Sequence, residues 1–524
     1  MMLGKKLADD ESGDVGATLP LNNLDRTIIA DDALFAPWPE VDAIVGNPPY
    51  IGRRRMTEEL GPAYCARLDE RFGPKGVADF VTYWFPKAHD HLPEGGRAGF
   101  VGTKSIKQGD GRKASLDYLV DHDGVIFDAI SHMPWSGEAA VTVSIVNWQK
   151  GGVPPTRRTL WLNNGEEPLE VAEITSSLSP EVDLRRAWRL RSSRSGVYQG
   201  QTLGVTPAFK VDGATARSLA RQDEAARAVI HPLLGGDELL HSLAIKDWVI
   251  DIESGEADQV WGAYPHVMRH LERHALPERR RRAEAEQARN APMLERDSGA
   301  RVPTHHSDFL RHWWTLWRRR GELMSAVNGM DRYVALTRTS SELRGPVFTF
   351  VDGSFHIEDS AVAFPFDDDY SMGVLQSTVH KTWFRERCTT LETRLTYTLN
   401  SVFRTFPWPQ EPTPQQVNRI AEASALVTEH VGRGFSRGST LAAQYDVMRR
   451  PGDSALRRLH EDLDRAVIDA YGFDPDEDLL TQILELNLLV AQRESEGLEV
   501  TPPGPRGATV TPSTWRWPAP HVFV

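Results

Sequence analysis

Residues 44–50 read Ile-Val-Gly-Asn-Pro-Pro-Tyr, an apolar run that stops at two consecutive prolines. Proline has no backbone N–H and a fixed φ, so neither a central strand nor a helix continues through Pro48 and Pro49. The pattern therefore predicts a buried strand over 42–45 that ends in a stiff turn. In open α/β sheets, ligands bind at the carboxyl ends of the strands, and this turn lies at such an end.

The residues of the turn suggest a specific chemistry. The side-chain carbonyl of Asn47 and a prolyl backbone carbonyl place two hydrogen-bond acceptors at one point, which suits an exocyclic amine such as N6 of adenine. Holding the protons of that amine raises the lone-pair density on its nitrogen and favours attack on a sulfonium methyl group. Tyr50 offers a ring that can stack on the base. A proline turn without any catalytic role is the alternative.

Further apolar runs flank the turn and alternate with helical patterns, which is typical of an α/β sheet. The pattern predicts a helix over 78–92, followed by a stop at Pro93 and two glycines. The predicted strands are 27–30, 42–45, 98–102, 125–130 and 140–148. A Gly- and Pro-rich stretch at 151–155 marks the end of this α/β domain.

The composition excludes several classes of protein. Cys65 and Cys388 are too few for a disulfide framework or a four-thiolate zinc site, and no metal site is expected. No window approaches ~18 uninterrupted apolar residues, which argues against a membrane span. The first residues lack the apolar core of a secretory signal. The chain is therefore predicted to be cytoplasmic.

The turn resembles the (Asp/Asn/Ser)-Pro-Pro-(Tyr/Phe/Trp) motif of the amino-methyltransferases that act on DNA adenine. That resemblance implies an α/β fold with a Rossmann-like class I methyltransferase sheet, and S-adenosylmethionine as the cofactor. It also implies catalytic roles for Asn47, Pro48, Pro49 and Tyr50.

The same resemblance implies residues around the cofactor and the base. Asp31 or the equally placed Asp32 would lie near the cofactor adenine, unless it is a helix N-cap. Asp79 would begin the helix that packs beside the cofactor. Such an enzyme must extrude its target base from the duplex, so a second aromatic face is expected. Trp135 is the candidate, with core packing as its alternative role.

The second half of the chain resembles the MmeI-like type IIL restriction–modification proteins. The segments that carry this resemblance are 229–237, 367–375, 406–410, 459–464 and 470–472. The length of 524 residues suits about three domains. The expected organisation is a loose N-terminus (1–24), a methyltransferase part (25–155), an α+β target-recognition domain (156–410), a helical region (411–495) and a Pro-rich tail (496–524).

Arginines are the expected DNA contacts. Of the 60 Lys and Arg residues 49 are Arg, although the net charge is −13. Arginine suits phosphate and guanine contacts, whereas a GC-rich genome is another explanation for its abundance. The candidates are Arg318, Arg319, Arg332 and Arg338. Trp313, Trp314 and Trp317 lie beside them at a helical spacing, so the alternative is a core helix with a solvated basic face.

Two elements of the adenine methyltransferase pattern have no match. No Phe-x-Gly-x-Gly turn precedes Asn47, and no acid is placed to hold the ribose. We therefore expect the methyltransferase part to be truncated on its N-terminal side. A start codon called too late, a split gene whose second polypeptide supplies the missing half, and a decayed remnant are the open explanations. No acid precedes a lysine at the spacing of a Mg²⁺-dependent nuclease, so DNA cleavage is not expected.

The sequence thus predicts a site-specific DNA adenine-N6 methyltransferase of a restriction–modification or phage-defence system. Its expected partners are double-stranded DNA and a second polypeptide that supplies the Gly-rich cofactor half. The alternative is a DNA-binding specificity module of such a system without catalysis.

Overall fold

The computed structural model describes residues 29–73, 78–135, 142–178, 187–194, 196–296, 302–341, 344–391, 394–505 and 513–517. Within these ranges the chain forms an N-terminal α/β domain, a middle region with three smaller sheets, and a C-terminal group of helices. No helix in these ranges is both long and apolar enough to cross a membrane.

One six-stranded sheet organises the N-terminal domain. Its strands are β1 (Ala43–Gly46), β2 (Arg97–Thr103), β3 (Gly124–Pro134), β4 (Thr142–Lys150), β5 (Thr159–Leu162) and β6 (Glu167–Glu170). The spatial order is β1-β2-β4-β3-β5-β6. β1 runs parallel to β2, and β3 runs parallel to β5, whereas β4 is antiparallel to both of its neighbours. β1 therefore lies at one edge of the sheet, and its carboxyl end points the same way as that of β2.

Four of the five predicted strands are confirmed, with bounds that differ by a few residues. The predicted end of the domain at 151–155 is wrong, because β5 and β6 continue the same sheet to Glu170. For the fifth, Ile29 and Ala30 are not in a strand, and residues 27 and 28 lie outside the described ranges. The helix predicted over 78–92 is a 3-10 turn followed by the α-helix Trp84–His91.

Aromatic packing fixes the sheet to its helices. The helices of this domain are α1 (Arg53–Glu59), α2 (Pro62–Phe72), α3 (Trp84–His91), α4 (Gly109–Ala114) and α5 (Leu116–Asp121). The ring of Phe85 on α3 lies 5.4 Å from that of Phe100 on β2 and 5.6 Å from that of Trp148 on β4. All three side chains are buried, which contributes about 1.5–3 kcal/mol for a ring the size of Phe. This cluster holds β2, and hence β1, in place.

Three sheets make up the middle region. Their strands are β7 (Tyr198–Gln199), β8 (Lys210–Asp212), β9 (Ile230–Leu234), β10 (Asp247–Ile250), β11 (Arg332–Thr337), β12 (Thr339–Ser341), β13 (Phe348–Asp352), β14 (His356–Ile357), β15 (Ala361–Phe364), β16 (Thr389–Leu391) and β17 (Arg394–Thr396). The sheet orders are β14-β9-β10-β8, β13-β11-β15-β7 and β12-β17-β16.

Ten helices of the middle region connect and cover these sheets. They are α6 (Thr206–Phe209), α7 (Gly213–Gln222), α8 (Gly236–His241), α9 (Ala257–Ala263), α10 (Pro265–His274), α11 (Leu276–Arg296), α12 (His305–Phe309), α13 (Gly321–Val327), α14 (Asp369–Gln376) and α15 (Thr378–Arg387). The middle region is therefore α+β, the class expected for 156–410.

The C-terminal helices share a core with the middle region. They are α16 (Pro414–Ser436), α17 (Leu441–Met448), α18 (Ala455–Tyr471) and α19 (Leu479–Ser495). Ile420 of α16 and Leu463 of α18 are buried in the same apolar cluster as Phe350 and Phe364 of the β13-β11-β15-β7 sheet. The helices over 411–495 are thus packed onto the middle region rather than around a core of their own.

Part of the predicted Pro-rich tail is also packed. Trp517 is fully buried, and its backbone N–H donates to the carbonyl of Phe350 at 2.8 Å. The Trp517 carbonyl accepts from the backbone N–H of Asp352 at 3.1 Å. Trp517 therefore forms a bridge to the edge strand β13, and its buried ring holds this part of the tail against the core.

Candidate functional site

The Asn-Pro-Pro-Tyr turn lies where the sequence predicts it, directly after β1. Gly46 ends the strand against the ring of Phe100, where a Cβ would approach a ring carbon to 3.1 Å. Asn47 is exposed, and Pro48 is buried beside it. The buried proline anchors the turn, so the Asn47 side chain is presented to solvent at the carboxyl end of the strand.

Asn47 and Tyr50 contact each other across the turn. The Tyr50 hydroxyl donates a hydrogen bond to Oδ1 of Asn47. Burial raises the pKa of Tyr50, so the phenol stays protonated and acts as a donor at neutral pH. A carboxamide oxygen has two lone pairs, so the contact leaves Oδ1 able to accept a second hydrogen bond. The turn thus holds an acceptor and an aromatic ring side by side.

A cavity of about 470 Å³ opens beside the turn, a volume within the range of small-molecule sites. Its walls are mostly apolar and come from the segment before β1, from β1 itself and from the facing helix and strand. They include Trp38, Ile44, Asn47, Pro49, Trp84 and Phe100. A larger cavity of about 820 Å³ is lined by Gly124, Lys150 and Gly151. It lies at the opposite end of the sheet, because Lys150 is opposite Gly124, where β3 begins.

Within the described part of the chain, no strand covers the outer edge of β1. Among the described strands β1 pairs with β2 alone, and Val45 is 87% exposed. The sequence Ala-Ile-Val-Gly is apolar throughout, which is typical of a parallel strand covered on both faces. It contains no charged residue, proline or bulge of the kind that guards edge strands against pairing. β1 therefore has the composition of an interior strand, but Ala43 and Val45 are exposed, so the prediction of a buried strand here is wrong for the described residues.

Asp79 lies beside the turn and is held by hydroxyl groups. Its Oδ2 accepts from Ser105 at 2.7 Å and from Thr103 at 3.3 Å. The next residue, Phe80, donates its backbone N–H to the carbonyl of Ile51 at 2.8 Å. Asp79 thus joins the exit of the Asn-Pro-Pro-Tyr turn to the end of β2. Thr103 and Ser105 were not predicted as partners, because they lie 24 and 26 residues from Asp79 in the sequence.

The two other acidic candidates shape the chain before β1. Oδ1 of Asp31 accepts from the backbone N–H of Asp32 at 2.7 Å, and Oδ1 of Asp32 accepts from that of Leu34 at 3.0 Å. The Tyr64 hydroxyl also donates a hydrogen bond to the Asp32 carboxylate. Burial raises the pKa of Tyr64, and this hydrogen bond raises it further. Asp32 therefore supports a turn over 33–35 and not the start of a helix, whereas Asp31 is exposed.

Trp135 lies at the same end of the sheet as the turn. It directly follows β3, and Pro134 on that strand is opposite Thr142 at the start of β4. Val143 of β4 is opposite Thr103, the carboxyl end of β2. Trp135 is half-buried, and residues 136–141 lie outside the described ranges. Its role as a base-stacking residue is still a prediction.

The four predicted DNA-contacting arginines do not share one exposed face. Arg332 is 3% exposed, and its Nη2 lies 2.9 Å from the buried carboxylate of Asp369. Its guanidinium also stacks 3.6 Å from the ring centroid of Phe350. Arg332 therefore has no free face for DNA, and its assignment as a DNA contact is wrong.

The other three arginines differ in their surroundings. Arg319 pairs with Asp251 at 2.8 Å and with Glu253 at 2.9 Å, so its charge is already balanced. Arg318 is exposed, and Arg338 is half-buried. Of the four candidates, Arg318 is the best placed to meet a ligand.

The tryptophans near these arginines belong mainly to the core. Trp314 is 3% exposed, as the core alternative predicts. The segment is not a long helix, however, because a 3-10 turn ends at His312 and Arg318 forms a bridge with Thr202. Arg318 and its neighbours therefore do not form a helix face.

Comparison with known proteins identifies two regions of the chain. Residues 4–161 match the family model of the MmeI DNA-methyltransferase domain, and residues 321–410 match that of the MmeI target recognition domain. DNA methyltransferase A of Bacillus subtilis (strain 168) is 32% identical over 127 residues, which are 24% of this chain and 14% of that protein.

A solved structure gives the fold over nearly the whole chain. The type IIL restriction-modification enzyme MmeI, in complex with DNA, superposes with a TM-score of 0.73 and 22% sequence identity. The match covers 94% of this chain and 63% of the MmeI chain. The present chain thus has an MmeI-like fold and spans less than two thirds of the length of the relatives it matches.

Proposed function

We propose that this chain, which joins a methyltransferase domain and a target recognition domain of the MmeI type, methylates N6 of adenine at specific DNA sites. The reaction would serve a restriction–modification or phage-defence system and take place in the cytoplasm. The observation that carries the proposal is the Asn47–Tyr50 turn, which presents an acceptor and a ring at the carboxyl end of a sheet strand. The cavity beside it is large enough for a small ligand.

The turn residues would act on the target amine directly. Oδ1 of Asn47 and the backbone carbonyl of Pro48 accept hydrogen bonds from the two N6 protons and so orient the nitrogen lone pair. The ring of Tyr50 stacks on the extruded base. These contacts strengthen as positive charge develops on the nitrogen during methyl transfer, which is the form of interaction that lowers a barrier. The extra proton then leaves to solvent.

S-adenosylmethionine is the cofactor of this type of domain, and when bound it supplies an electrophilic methyl group. The described residues fit the side of the site that receives the base. All three candidate cofactor carboxylates, Asp31, Asp32 and Asp79, already accept hydrogen bonds within the chain. Asp31 is the exposed one. The residues that would bind the ribose of the cofactor would therefore be residues other than these three carboxylates.

We further propose that a second polypeptide supplies that part of the cofactor site. It would add a parallel strand to the open edge of β1 and bring the Gly-rich turn to the cavity. Two observations support this occupant. β1 has the apolar composition of an interior strand, and Val45 projects into solvent from it. The missing Phe-x-Gly-x-Gly turn is itself a strand-to-helix element.

Cofactor binding gives a sharp test of this partner. Calorimetric titration of S-adenosylmethionine into the chain alone should show little heat, whereas the chain mixed with the complementing polypeptide should bind in the micromolar range. Val45→Lys should prevent that gain, because a charge on the open edge opposes strand pairing. Val153→Lys is the matched control, since Val153 is 88% exposed outside this edge. Micromolar binding by the chain alone would refute the need for a partner.

Methyl transfer tests the function itself. The complemented chain should move labelled methyl groups from S-adenosylmethionine to duplex DNA, and a subset of sequences should accept nearly all of them. Failure of the complemented chain to label any duplex, although it binds the cofactor, would contradict the proposed function and leave the partner proposal standing.

A further inference from the structure

A third cavity, of about 550 Å³, lies between three segments of the middle region. They are residues 194 and 196–199, residues 318–323, and residues 399–404, which are far apart in the sequence. Four arginines line it, namely Arg194, Arg318, Arg320 and Arg404, and Glu322 is the single acid among its lining residues. The lining thus carries a net charge of +3 in a chain whose net charge is −13. We call this cavity the arginine pocket.

The guanidinium groups of the pocket are poorly satisfied by the protein. Among the described residues, the side chains of Arg194 and Arg318 have neither an ion pair nor a hydrogen bond. Nε of Arg404 is buried without a partner, while its Nη1 donates to Asn400 at 2.9 Å. Arg320 donates only to Gly200 and Gln199, each at 3.4 Å, the long limit for a hydrogen bond. Other arginines nearby, such as Arg319, have carboxylate partners.

The backbone forces these charges together. Arg320 has φ 58° and ψ 50°, a left-handed conformation that is uncommon for a residue with a side chain. It is the N-cap of α13, and it follows the bridge between Arg318 and Thr202. Burial lowers the pKa of Arg320, and the nearby charges of Arg318 and Arg338 lower it further. Asp359 and Glu322 counter this only in part, so the cluster favours an added anion.

We propose that the arginine pocket holds a phosphate of the DNA backbone, an inference that rests on the proposed function. Arginine forks match phosphate oxygens in a bidentate geometry, and phosphate contacts set the register of a protein on DNA. The lining offers Tyr198 as its one aromatic ring, with Val197, Leu323 and Leu399 as apolar contacts. It is therefore built for an anion rather than for stacked bases. Gly321, Leu323 and Arg404 belong to the region that matches the target recognition domain.

Salt dependence distinguishes a phosphate contact from a structural role. The test uses the full chain and a fluorescent duplex of arbitrary sequence, because phosphate contacts do not depend on sequence. Arg194→Ala/Arg318→Ala removes two unpaired charges from the pocket. The matched control, Arg419→Ala/Arg465→Ala, removes two charges from exposed helix positions whose side chains are 65% and 74% exposed. Arg194→Lys/Arg318→Lys keeps the pocket's charge.

The pocket variant should bind the duplex at least about tenfold more weakly at low salt, the loss expected for charged hydrogen bonds. The slope of log Kd against log salt should flatten by about 1 for each arginine that contacts a phosphate. The control and lysine variants should keep the wild-type slope. If the alanine variant kept the wild-type affinity and slope, the proposal that the pocket holds a phosphate would be wrong, and the methylation proposal would stand. A wild-type chain without salt-dependent DNA binding would overturn both.

Discussion

Asn47→Ala is expected to lower the rate of methyl transfer by about 10²–10³-fold in the complemented enzyme, the usual cost of losing one polar contact to the reacting group. The substitution removes Oδ1, the acceptor that would orient the target amine. Because Asn47 is exposed and its side chain hydrogen-bonds to Tyr50 alone among the described residues, the fold should be little affected. Single-turnover rates with saturating DNA and cofactor measure the chemical step.

Two further variants separate the roles of the turn. Asn47→Asp keeps an acceptor and matches an alternative residue of the motif, so it should retain more activity than Asn47→Ala. Tyr50→Phe keeps the ring and loses the hydroxyl that donates to Asn47. It should therefore lose less activity than Tyr50→Ala, which removes the stacking surface. Equal rates for Asn47→Ala and the wild type would exclude the turn from catalysis.

Arg332→Ala is expected to lower the free energy of unfolding by about 3–5 kcal/mol, the cost of breaking a buried ion pair. The Asp369 carboxylate is fully buried and lies 2.9 Å from the Arg332 guanidinium. The substitution would leave this buried charge without its partner. Asp369 also accepts from the backbone N–H of Ser513 at 2.5 Å, so loss of the pair also affects the segment that carries Trp517. Urea denaturation of the full chain measures the change.

Arg344→Ala is the matched control for this pair. Arg344 forks onto Asp446, whose side chain is 45% exposed, so its removal should cost about 0–1 kcal/mol. Arg332→Met/Asp369→Leu should recover part of the stability, because it removes both charges together. A loss below about 1 kcal/mol for Arg332→Ala would show that the carboxylate is solvated. The DNA salt slope of any folded Arg332 variant should equal that of the wild type.

The features that the sequence predicted well depend on local rules. Two prolines end β1 wherever the chain folds, so the position of Asn47 followed from residues 44–50. Apolar runs bounded by turn residues gave β2, β3 and β4 to within a few residues, whereas β5 and β6 were not predicted. The assignment of Asp32 to a turn was open from sequence, because a helix cap and a cofactor contact require the same residue type.

The features that the sequence did not predict depend on distant partners. Arg332 looked like a DNA contact because its partners, Asp369 and Ser513, lie 37 and 181 residues away. The arginine pocket joins Arg194, Arg318 and Arg404, which no periodicity connects. Tertiary packing decides whether an arginine is buried or exposed. The density of arginines in the sequence does not predict that packing.

The central claim is that the Asn47–Tyr50 turn directs a methyl group to N6 of adenine. The most direct test is mass spectrometry of nucleosides from duplex DNA treated with the complemented chain and isotope-labelled S-adenosylmethionine. We expect labelled N6-methyl-2′-deoxyadenosine with the wild type and a large loss of it with Asn47→Ala. Labelled methylcytosine in its place, or the same yield of methyladenine from both proteins, would contradict the account.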